Sequence, residues 1–201
     1  MYRSITGDAY ISNQSPVFTR CQCIACSSEG NKMNEQQLES IQRKNAWLHD
    51  LVEVEFPTKE SLEGRATYFR ALETQEYQVM GKSELLDSDN ALGKDDIFLV
   101  DFHRLTVMFS ILQSQRWADK HDQEMIIEYL TQIILTPDFE LYVGFKEGEA
   151  VGAAIVSQHE ENTLISDIAV SQKLDKSDFI ADLAKKLNDD QKLYETIIVE
   201  N

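Results

Sequence analysis

Two kinds of hydrophobic spacing divide this chain. Between Asn34 and Ile134 apolar residues recur mostly at helical intervals, and from Phe139 onward they alternate with a period of two. Asn34 is a helix-capping residue type, and Leu38, Ile41, Leu48 and Leu51 after it predict a first amphipathic helix. Pro57 favours an extended approach and Thr58 can cap. Leu62, Ala66, Phe69 and Leu72 then predict the apolar face of a second helix ending near Tyr77. GKSELLDSDNALGKDD (81–96) is rich in turn formers and acids and reads as a loop or linker. IFLVDF (97–102) suits a strand and LTVMFSILQSQRW a buried helix, although spacing alone does not separate the two. Asp122 is expected to cap a clearer helix, with Ile126, Ile127, Leu130, Ile133 and Ile134 on its apolar side. Thr136-Pro137-Asp138 ends it.

Three apolar runs follow: FELYVGF (139–145), AVGAAIVS (150–157) and TLISDIAV (163–170). Lys146-Glu147-Gly148-Glu149 predicts a hairpin turn between the first two, and the polar HEEN segment (159–162) predicts the next turn. Gly144 and Gly152 lie inside these strands, where relief of twist or close approach of a ligand are the alternatives. A helix from about Ser177 to Leu187 precedes a last strand, LYETIIVE (193–200).

Residues 1–32 have neither period. Ser, Thr, Asn, Gln and Cys dominate there, so a flexible leader is expected, with the folded unit starting near Met33. Residues 33–96 read as a helical N-terminal region and 97–201 as an α/β core. The formal net charge of −16 opposes nucleic acid and anionic membranes and favours a cationic partner, either a small amine or a basic protein surface. The longest apolar stretch, Ile97 to Leu112, is broken by Asp101, His103 and Arg104. No secretory signal pattern stands near Met1, so a cytoplasmic location is expected. Cys21, Cys23 and Cys26 form C-x-C-x-x-C with no fourth ligand nearby, His49 being the nearest histidine. Three reduced thiols are the expected state, an intermolecular metal site being the alternative. The histidines lack metal-ligand spacing, and no metal is expected.

The order strand, turn, strand, turn, strand, loop, helix over 139–187 resembles the acyl-CoA-binding half of the GCN5-related N-acetyltransferases. The resemblance covers about residues 120–200. It implies an α+β fold of the acyl-CoA N-acyltransferase type: a mixed, mainly antiparallel sheet flanked by helices, here with a helical N-terminal half and a truncated C-terminus. In that family the third strand of the meander splays from the strand that follows, and the acyl-pantetheine arm of acetyl-CoA lies between them. Carried over by position, Asp167 becomes the general base, Tyr194 a distant candidate for the acid, and the Val170 N–H an oxyanion donor. Ile168, Val170, Lys173, Lys176 and Ser177 become cofactor contacts. By alternation alone, Asp167 is a solvent-facing strand residue.

The family's pyrophosphate loop, (Arg or Gln)-x-x-Gly-x-(Gly or Ala), falls on Asp175, Asp178 and Ile180 and matches at none of these positions. Like charges at about 4 Å cost roughly 1 kcal/mol each in water, so the two aspartates oppose a pyrophosphate. Asp175, Ser177 and Asp178 suit a capped helix start instead. The last strand also lacks the helix and strands that follow it in the family. Either a partner subunit, as in a homodimer, or the N-terminal half must then cover the sheet edge. Two readings follow: a divergent N-acetyltransferase transferring acetyl from acetyl-CoA to an amine, or a catalytically silent relative serving as an acidic interaction or regulatory domain.

Overall fold

The computed structural model describes residues 33–87 and 91–201. The leader, with its three cysteines, lies outside the described residues. The elements in chain order are α1 (Glu35–Asp50), α2 (Lys59–Leu72), β1 (Tyr77–Gly81), α3 (Lys82–Leu86), β2 (Ile97–Leu99), α4 (His103–Ser114) and α5 (Lys120–Leu130). They continue with β3 (Phe139–Lys146), β4 (Glu149–His159), β5 (Asn162–Val170), α6 (Lys176–Asp189) and β6 (Thr196–Glu200). Six strands form one sheet in the order β1-β6-β5-β4-β3-β2; every neighbouring pair is antiparallel except β5–β6.

Local signals explain most of these boundaries. Asn34 accepts from the Gln37 N–H at 2.9 Å while the Gln37 side chain accepts from the Asn34 N–H, a reciprocal capping box. Thr58 caps α2 through the Ser61 N–H. The α5 cap is Asp119 rather than Asp122, which lies in the first turn; Asp119 accepts from the N–H groups of both His121 and Asp122. The β3–β4 turn places Glu147 and Gly148 at φ 55° and 80°. The β4–β5 turn does the same with two glutamates, Glu160 (φ 48°) and Glu161 (φ 61°). Positive φ at both central residues matches the twist of paired strands.

Alternation along the strands builds two cores. Tyr142, Ala154, Val156, Ile165 and Val199 face α6, where Phe179, Leu183, Ala184 and Leu187 are fully buried. Leu141, Val143, Ala153, Ile155 and Ala169 face α1, α2, α4 and α5, around Leu48, Phe109, Ile126 and Tyr129. Gly152 and Gly144 make room for a neighbouring ring: a Cβ at Gly152 would lie 2.6 Å from the Phe179 ring, and one at Gly144 3.0 Å.

Three expectations change. The region 81–96 holds the short helix α3, and β1 precedes it, so the N-terminal half contributes a strand as well as helices. β1 runs antiparallel to β6 from Tyr77↔Glu200 to Gly81↔Thr196, and so covers the edge of β6 from within the chain. The fully buried face of α2 is Ser61, Gly64, Thr67 and Tyr68, rotated from the expected Leu62, Ala66, Phe69 and Leu72. The cause is close helix packing, because a Cβ at Gly64 would lie 2.0 Å from the Met125 carbonyl oxygen of α5.

Candidate functional site

β5 and β6 pair only from Asn162↔Thr196 to Ile165↔Val199; beyond Ile165 they are unpaired. There β5 carries a bulge. Ser166 pairs with Ile155 and Ala169 with Ala153, so Asp167 and Ile168 together oppose Ala154. Asp167 takes φ 52°, a conformation aspartate tolerates better than most residues. The extra residue resets the alternation, so Ile165 and Ile168 both join the α6-side core. It also turns Asp167 inward, to 2% exposure, so the solvent-facing position expected from alternation is wrong.

Four elements surround the Asp167 carboxylate and peptide. Lys44 of α1 lies 2.9 Å from Oδ2, an ion contact outside hydrogen-bond geometry. Tyr68 of α2 donates to Oδ1 at 2.5 Å and accepts from Lys44 Nζ at 3.1 Å. Arg116, just after α4, has one guanidinium nitrogen 3.8 Å from Asp167 Oδ1 and donates through the other to Glu200 Oε1 at 2.6 Å. Glu200 of β6 accepts from the Asp167 N–H, and Gln113 of α4 donates to the Asp167 carbonyl. The cluster therefore holds two cations and two carboxylates.

Burial alone would raise the Asp167 carboxyl, but the charges of Lys44 and Arg116 and the Tyr68 hydrogen bond hold it below the ordinary range. Burial, then the Asp167 charge, push Glu200 up against the opposing pull of Arg116 and Lys44. Burial and the Asp167 charge also push the Tyr68 hydroxyl well above its usual value. A base with its proton affinity lowered and its carboxylate sealed by three side chains is poorly suited to take a proton from a substrate.

The other predicted residues scatter around this point. Ile168 is buried in the α6-side core and Val170 packs against its edge. The Ser171 N–H bonds the Val151 carbonyl at 2.8 Å, and Val170 pairs with Gly152. By the alternation of an antiparallel ladder, the Val170 N–H therefore points away from β4, toward the side where β6 is no longer paired. Lys176 opens α6, half-buried, within the electrostatic reach of Glu200 and Arg116. Ser177 is exposed, and the Lys173 ammonium pairs with the Glu149 carboxylate. Tyr194 is 41% exposed and lines a hollow of about 380 Å³ at the opposite end of β6. The length of β6 alone puts it roughly 13 Å or more from Asp167. Tyr68 is the tyrosine that meets Asp167.

At the start of α6, Asp175 occupies the cap position with an extended backbone, but its side chain makes no capping hydrogen bond; the expected cap is positional only. A hollow of about 240 Å³ lies there, lined by Lys146, Lys173, Asp175 and Asp178 among others. Two aspartates on this wall face two lysines, one of them already paired with Glu149, so the wall offers a pyrophosphate no net positive charge. Among the described residues, no group of three or more His, Cys, Asp or Glu side chains could hold a metal ion, and no helix is long and apolar enough to cross a membrane.

The residues that sequence reasoning missed are Lys44, Tyr68, Gln113, Arg116 and Glu200. Lys44 left a signal, because it sits between Ile41 and Leu48 on the apolar stripe of α1.

No protein-family model and no curated protein matches this sequence. Among solved structures, the chain is similar to a functionally unknown conserved protein from Staphylococcus epidermidis ATCC 12228 (16% identity, TM-score 0.46), covering 69% of this chain and 56% of that one. It is also similar to a GCN5-related N-acetyltransferase from Kribbella flavida (9%, 0.41), covering 67% and 52%. A tandem GNAT protein from the clavulanic acid biosynthesis pathway is similar at 13% identity and TM-score 0.35, covering 68% and 49%. The chain thus spans about half the length of the solved structures it matches. These superpositions are faint. In its own strand order the chain has a GNAT-like fold: antiparallel β3–β4–β5, then α6, then β6 parallel to β5 and parting from it at a bulge.

Proposed function

We propose that this chain is an acyltransferase-fold domain that acts by binding rather than by acyl transfer, its partner a basic protein surface. One observation carries the reading. Where β5 and β6 part, the Glu200 carboxylate sits on the Asp167 N–H, and Arg116 joins Glu200 to the Asp167 carboxylate. In the family this chain resembles the acyl arm lies in such a parting, and side chains meeting across it support a reading without acyl transfer. The net charge of −16 supports a basic partner.

A thermal-shift titration with acetyl-CoA and CoA tests this, because a ligand that binds only the folded state raises its melting temperature. No rise is expected at millimolar ligand, and a saturating rise overturns the reading. The outward Val170 N–H favours the second reading, a divergent N-acyltransferase acting on an amine with acetyl-CoA as donor. In that case the saturating rise appears, and Asp178→Gly tightens binding by clearing a carboxylate from the α6 hollow.

A further inference from the structure

The two edges of the sheet are guarded differently. At β1 the apolar side chains are half-buried and Gln78 is exposed. At the other end β2 pairs only with β3 among the described residues, and Phe98, Leu99 and Phe102 stand 47%, 39% and 51% exposed along it. From Ile97 to Val100 this edge carries no charge, no proline and no register shift, the devices that usually keep an edge strand from pairing with another chain. The Val100 N–H bonds the Leu141 carbonyl at 2.8 Å. By the alternation of the ladder, the N–H and C=O groups of Leu99 and Asp101 therefore point outward, away from β3. Phe102 is still extended (φ −150°, ψ 156°) before α4 begins at His103. Exposed charges of opposite sign flank the run: Asp96, one oxygen of which accepts from the Gly93 N–H at 3.2 Å, and Arg104.

We propose that this edge pairs with β2 of a second copy of the chain, antiparallel about a two-fold axis at Val100, so that the two sheets join into one. The stretch from Asp96 to Arg104 is self-complementary about that residue. An axis there sets Leu99 opposite Asp101 of the second copy, and each such pair exchanges backbone hydrogen bonds through the outward groups. Phe98 falls opposite Phe102 of the second copy at a closely spaced position without those bonds, where side chains on one face meet. Asp96 falls opposite Arg104 of the second copy, whose long side chain spans the step into α4. The symmetry makes every one of these contacts twice. Neighbouring registers are poorer: an axis at Phe98 sets Asp95 opposite Asp101, and an axis at Leu99 sets Asp96 opposite Phe102. Two copies of net charge −16 repel one another over most of their surface, and this uncharged run between complementary charges is where they can approach. A paired edge of about five residues a side lies at the low end of specific interfaces, so a reversible monomer–dimer equilibrium is expected. The inference rests neither on CoA binding nor on a basic partner.

The test is sedimentation of the full chain over a concentration series, joined to residue-resolved amide hydrogen exchange. The average mass should rise from monomer toward dimer, and the Leu99 and Asp101 amides should exchange more slowly as concentration rises. The Val79 amide, which points outward from β1 at the opposite edge, should not change. Asp96→Arg and Arg104→Asp should each weaken association about tenfold, because each sets like charges opposite one another twice. Mixing the two variants should restore association, since each then supplies the charge that the other lacks, and the recovery shows that both are folded. A chain that stays monomeric at high micromolar concentration overturns the proposal and leaves the edge to a strand of another protein. Dimerisation that leaves the Leu99 and Asp101 amides unchanged, or that the mixed variants fail to recover, overturns it as well.

Discussion

Lys44 stands in the middle of the stripe that docks α1 on the sheet, between Ile41 and Leu48, and it is as buried as its apolar neighbours. A lysine is tolerated there because Asp167 meets it, and Asp167 reaches it because the bulge in β5 turned that residue inward. Each charge depends on the other more than the fold depends on the pair, since breaking a buried pair by removing one partner costs about 3–5 kcal/mol. Lys44→Met should therefore lower the unfolding free energy by about that amount in chemical denaturation. Asp167→Asn keeps a residue that tolerates φ 52°, and adding it to Lys44→Met should recover part of the loss. Simple additivity of the two substitutions would show that the charges do not compensate one another.

At the scale of elements, sequence and structure agree for most local signals, with the α5 cap, the α6 cap and the short helix α3 as the exceptions. The capping of α1 by Asn34 and α2 by Thr58, the two tight turns and the β3–β4–β5 meander all rest on neighbours within a few residues. What was illegible depends on distant partners. The buried face of α2 is chosen by the α5 backbone beside Gly64, and β1 exists because β6 lies ready to pair with it. The candidate site follows the same rule. Asp167 is singled out by the family resemblance, and its burial is not legible in the sequence, because a bulge leaves no trace in alternation until the partner strand is known. Gly152 shows how tight these fits are. Gly152→Ala places a methyl against the Phe179 ring and should cost about 1–3 kcal/mol in stability. The smaller ring-free side chain of Phe179→Leu should suppress much of that cost in the double variant. A melting temperature unmoved by Gly152→Ala would mean that α6 can shift away from β4 freely.

Across the whole molecule, three buried, hydrogen-bonded tyrosines set the expected alkaline behaviour. Tyr68 donates to Asp167, Tyr129 to the Leu48 carbonyl at 2.5 Å and Tyr142 to Glu140 at 2.8 Å. Burial raises all three hydroxyls above the ordinary tyrosine value. A group raised in the folded state stabilises it fully below the unfolded value, near pH 10, and that stabilisation is lost as pH rises beyond it. These tyrosines should thus ionise only as the protein unfolds above about pH 10, phenolate absorbance and loss of circular dichroism rising together. Ionisation of every tyrosine near pH 10 with the dichroism intact would refute this.

The pairing of β1 with β6 has a consequence in time as well as space. Gln75, just ahead of β1, donates to the carbonyl of Asn201, 126 residues further along the chain. During synthesis, α1, α2 and β1 leave the ribosome long before the strand that β1 needs as its neighbour. Until Thr196–Glu200 emerges, β1 has no strand to pair with, and closure must bridge the 126 residues that separate Gln75 from Asn201. Docking of β1 is therefore expected to be a late step in folding, completed only once β6 is in place.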